Sequence, residues 1–79
     1  MEKEYIWASL FRMSTESTIL IKTPFRASEF TGSEDDQLDA GAWCLGRMGG
    51  AWIPAMFIKG VESTAREVHQ SLLDEIQGN

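Results

Sequence analysis

From Tyr5 to Met13 the side chains alternate as they would on an extended strand, and both faces of that strand are apolar. Ile6, Ala8 and Leu10 share one face. Tyr5, Trp7, Phe11 and Met13 share the other, interrupted only by Ser9. A strand at a solvated surface keeps one polar face, whereas a strand apolar on both sides needs cover above and below. The pattern predicts an interior strand with the other elements arranged around it.

Ser14 to Ser17 is polar and suits a hairpin loop. Thr18 to Phe25 follows as a second strand, rich in β-branched residues, and Pro24 puts it at an edge because proline cannot donate to a ladder. Ala51 to Lys59 reads as a third strand, apolar on both faces, with Pro54 again marking an edge and Gly60 ending it.

Two segments carry helical punctuation. Ser33 suits an N-cap, Glu34, Asp35 and Asp36 complement the positive end of a helix dipole, and Gly49-Gly50 suits a stop. Leu38, Ala42 and Leu45 then form one apolar stripe at i, i+4 and i+7. Ser63 to Gln77 reads as the second helix, with capping-box spacing at Thr64 and Glu67. Its stripe is Ala65, Val68, Leu72 and Ile76, and Leu72 is expected to be fully buried.

The order ββαβα predicts a small two-layer α+β domain over residues 1–79. Its sheet is three-stranded and antiparallel in order 2-1-3, with both helices on one face. The alternative takes Gly49-Gly50 as a hairpin turn. Ala42–Met48 then pairs with Ala51–Phe57, giving a four-stranded meander plus a C-terminal helix. That arrangement leaves Arg26 to Gly41 as an unusually long connection, which favours the helix.

Composition narrows the function. Twelve acids against seven bases give a net charge of −5, which disfavours direct nucleic-acid binding, since that depends on basic contacts to phosphates. No apolar run reaches a membrane span, the N-terminus lacks a secretion signal, and the single cysteine, Cys44, excludes an internal disulfide. A cytoplasmic protein with no membrane contact is expected. His69 is the only histidine, so sites built on several histidines are excluded, and no phosphate loop is present. His69 and Cys44 read as packing residues. The sequence predicts no enzyme, no metal and no cofactor.

Two partner-binding sets remain. Helices confined to one face leave the other bare, so Tyr5, Trp7, Phe11 and Trp52 predict an apolar surface for a protein partner or a second copy. The folded-back loop Arg26–Gly32, bearing Phe30, is the alternative cover. On this reading the protein is a non-enzymatic protein–protein interaction module, forming a homodimer through its sheet. The other reading uses the acidic set Glu34, Asp35, Asp36 and Asp39. These would imitate nucleic-acid phosphates and block a basic site of a host protein, as phage anti-restriction and anti-CRISPR proteins do.

Overall fold

The apolar strand is the middle of the sheet: in β1 (Tyr5–Arg12) five consecutive residues, Ile6 to Leu10, are buried. The computed structural model describes residues 2–78. A turn joins β1 to β2 (Ser17–Arg26), and a short 3-10 turn, Ala27–Glu29, leads to α1 (Glu34–Met48). β3 (Ile53–Gly60) and α2 (Glu62–Ile76) follow. The sheet is β2-β1-β3, antiparallel throughout, so the expected α+β order and topology are both present. Ala42 to Met48 is helical, and Gly49 stops the helix at φ +88 with its N–H on the Leu45 carbonyl. The four-stranded alternative is thereby excluded.

One expectation is corrected: the helices lie on opposite faces of the sheet. Ile6, Ala8 and Leu10 pack against Ala40 and Cys44 of α1, whereas Trp7 and Ile58 pack against Ala65 and Val68 of α2. The reason is width. Outer strands of a three-stranded sheet are about 10 Å apart, which is close to the diameter of one helix. A second helix on the same side would hang over the edge and leave Trp7 in water. Gly60 makes the switch of side feasible. It sits at φ +154, and a Cβ there would lie 3.2 Å from the Thr64 Cγ2 at the start of α2.

Both prolines lie on outer strands at breaks in register. Opposite Ile6, β2 carries extra residues around Pro24, because Tyr5 faces Arg26 while Trp7 faces Lys22. The buried Thr23 hydroxyl repairs this break, donating to the Ile6 carbonyl at 2.6 Å and accepting from the Phe25 N–H at 3.3 Å. In β3 the shift falls between Ser9↔Met56 and Leu10↔Pro54, leaving Ala55 as the extra residue of a bulge.

The helices differ in detail from their sequence reading. α1 does not bury Leu38, Ala42 and Leu45; it buries Ala40 and Cys44, with Trp43 and Met48 packed beside them. α2 starts at Glu62 behind Val61, which makes no side-chain cap, so the Thr64–Glu67 box is not used. Leu72 is half-buried, and Ala65 alone is fully buried on that helix. The loop residue Phe30 does fold inward, joining Phe25, Phe57 and Ile6, but on the α1 side.

Candidate functional site

The predicted aromatic set is divided by the fold. Trp7 is 9% exposed, and its indole N–H donates to the Gly60 carbonyl at 2.9 Å, so nearly all of it belongs to the core. Tyr5 is half-buried near the same face, with the Lys22 ammonium 4.0 Å and the Arg26 guanidinium 5.9 Å from its ring centre. Trp52 packs on the opposite face with Ala8, Leu10 and Cys44, and the Arg12 guanidinium lies 5.8 Å from its ring centre. Phe11 alone reaches an open apolar surface.

That surface lies where the C-terminal half of α2 passes over the sheet. A groove of about 350 Å³ is lined by Phe11, Met13, Ile53, Ala55 and Ile76. Met13 is 71% exposed, Ile76 54% and Ile53 51%, so three large apolar side chains stand in water around one depression. The bulge in β3 is responsible for Ile53. Were Ala55 paired regularly with Leu10, Pro54 would face Phe11; because Ala55 is bulged out, Ile53 does, and its side chain turns to the α2 side. In the sequence Pro54 marks only an edge strand, and nothing in the pattern placed a register break at Ala55. Met56, 37% exposed on the same outer strand, extends the apolar rim.

The acidic set is also divided. Asp36 is bound into the helix start: its carboxylate accepts from the Thr31 N–H at 2.6 Å and the Thr31 hydroxyl at 2.8 Å. Its own N–H donates to the Ser33 hydroxyl at 3.2 Å. The Thr31 hydrogen bonds hold its pKa below the ordinary aspartate value. Glu34, Asp35 and Asp39 are exposed, and the ion pair among the described residues, Arg66–Glu62, is elsewhere, on α2. The described residues hold no group of three His, Cys, Asp or Glu side chains placed to bind a metal ion.

His69 and Cys44 sit where packing dominates. The His69 Nδ1 is 2.8 Å from the Ser9 hydroxyl, a polar link between α2 and the centre of β1. Burial, with the nearby Arg66 charge, pushes its pKa down. Ser9 is 1% exposed, so this pair has no room for a substrate at the hydroxyl. Burial pushes the Cys44 thiol pKa up, away from the thiolate that nucleophilic chemistry needs. No protein-family model, curated protein or solved structure matches the chain. Its geometry is therefore the guide to function. No helix among the described residues is long and apolar enough to cross a membrane.

Proposed function

We propose that this protein works by binding another protein, not by catalysis, and that the groove of Phe11, Met13, Ile53, Ala55 and Ile76 is its docking surface. The observation that carries this reading is the exposure of Met13, Ile53 and Ile76 around a single apolar depression. Scattered exposed apolar residues are ordinary, but a contiguous group around a concave surface is characteristic of interaction sites. A second copy is the simplest occupant. β3 is an outer strand, and two such edges related by a two-fold axis would bring two grooves together.

The test is molar mass in solution, measured by light scattering at high micromolar concentration. The dimer reading expects twice 8.9 kDa for the parent. It expects a return to 8.9 kDa when Ile53→Asp and Ile76→Asp are combined. Both side chains are half-exposed, so the variant should keep its helical circular dichroism. A parent mass of 8.9 kDa removes the second copy and leaves a different protein as the occupant.

A specific observation also favours the phosphate-mimic reading: Glu34, Asp35 and Asp39 stand exposed at one helix start. A host-protein inhibitor of this kind would bind with steep salt dependence and fail when those three residues become Gln or Asn. Asp36 must be left intact in that variant, because neutralising its carboxylate would weaken the hydrogen bonds from Thr31 that hold the loop at the helix start.

A further inference from the structure

The outward face of α1 carries an apolar stripe with no partner inside the molecule. Leu38 is 63% exposed, Leu45 is 57% exposed, and Ala42 lies exposed between them at the i+4 position. These are the residues that periodicity assigns to a buried face, yet Ala40 and Cys44 on the other side of the helix meet the sheet. Ala42 leaves a hollow flanked by two leucines. A further side chain at Gly46, one turn on, would meet nothing within 4 Å, so the surface is open to close approach by another backbone.

Charge specifies what fits there. The stripe begins beside Glu34 and Asp35, with Asp39 one position beyond Leu38, and none of the three is in an ion pair among the described residues. Arg47 lies two residues past Leu45 and so falls off this face. An apolar strip with acids along one end matches a helix with the converse pattern, apolar in the centre and basic at its margin. A second copy of α1 matches less well, because it brings the same acids to the interface. We propose that this face of α1 docks a basic amphipathic helix of a partner protein. The proposal concerns a different surface from the groove and does not depend on it.

The probe is a synthetic helical peptide with a leucine stripe bordered by lysines, beside a control in which glutamates replace the lysines. Binding is followed by backbone amide shifts of the labelled protein. The expected result is a saturable shift pattern around Leu38, Ala42 and Leu45 with the lysine peptide and none with the control. Leu38→Ser combined with Leu45→Ser should weaken binding by about tenfold or more. Both side chains are mostly in water, so that variant should stay folded and lose only the small helix-propensity difference between leucine and serine. Ile53→Asp with Ile76→Asp should leave peptide binding unchanged, which separates this proposal from the groove. Shifts confined to Phe11 and Ile76, or equal binding of both peptides, overturn it. Concentration-dependent shifts on α1 without peptide overturn it in favour of a second copy.

Discussion

The two faces of the sheet are closed by the same device and finished differently. On each side an alanine of the covering helix, Ala40 or Ala65, is fully buried where the helix meets the sheet. The α1 side is then sealed at both ends by large residues of the outer strands, the loops and the helix itself. Phe25, Phe30 and Phe57 close one end, while Trp52, with Trp43 and Met48 of the helix, closes the other. The α2 side is sealed around Trp7, Ile58 and Val68, but it opens into the groove at Phe11 and Ile76. Small residues bring a helix close to a sheet, and bulky neighbours must then fill the margins. Where they are missing, apolar surface stays in water.

The largest expected effect tests whether Trp7 anchors the α2 side. Trp7→Ala should cost about 3–5 kcal/mol by lost transfer energy and a residual cavity. That approaches the whole stability of a small domain. Trp52 is only half-buried, so Trp52→Ala should cost less in the same denaturant titration. The reverse order would mean that the α1 side is the deeper core.

Gly60→Ala comes next. It combines a backbone conformation that side chains rarely adopt with a contact against Thr64, and should cost on the order of 1–3 kcal/mol. Thermal melting within a degree or two of the parent would show that α2 re-seats without strain.

On the outer side of α1 the sign reverses. Gly46 is helical and faces open space, so Gly46→Ala should stabilise the protein by roughly 1 kcal/mol through helix propensity. A loss of stability there would mean that this face is already occupied.

The smallest effect concerns the polar link on the α2 side. His69 has its folded pKa lowered from 6.5, so the folded state favours the neutral ring. The unfolded chain takes up the proton first as pH falls. Stability present above pH 6.5 should therefore decline as pH drops through that value, and level off below the folded pKa. His69→Gln should lose this part of the pH dependence. Identical slopes for parent and variant between neutral and mildly acidic pH would show that burial of the His69 ring does not couple its protonation to folding.

Much of the site was hidden in the sequence for reasons that particular residues make plain. Phe11 was legible as an apolar position on a two-faced strand, but Trp7 beside it was not distinguishable from it. Only the path of α2 buries one and leaves the other at a groove. The exposed acids were equally legible as a group, yet Thr31 removes Asp36 from it through hydrogen bonds formed in the folded loop.

Local chemistry determined the order of elements. Alternation in Tyr5–Met13 made β1 central, Pro24 and Pro54 assigned β2 and β3 to the edges, and Ser33 and Gly49 bounded α1. These signals act over a few residues and survive any packing. The tertiary structure decided which surfaces meet. α1 has two apolar sides, and the one bearing Trp43 and Met48 brings more area to the sheet than Leu38 and Leu45 would. The width of three strands sent α2 to the opposite face, and the extra residue at Ala55 turned Ile53 into the groove. Each of these outcomes depends on volumes and distances between elements that are remote in the chain, and no window of sequence contains them.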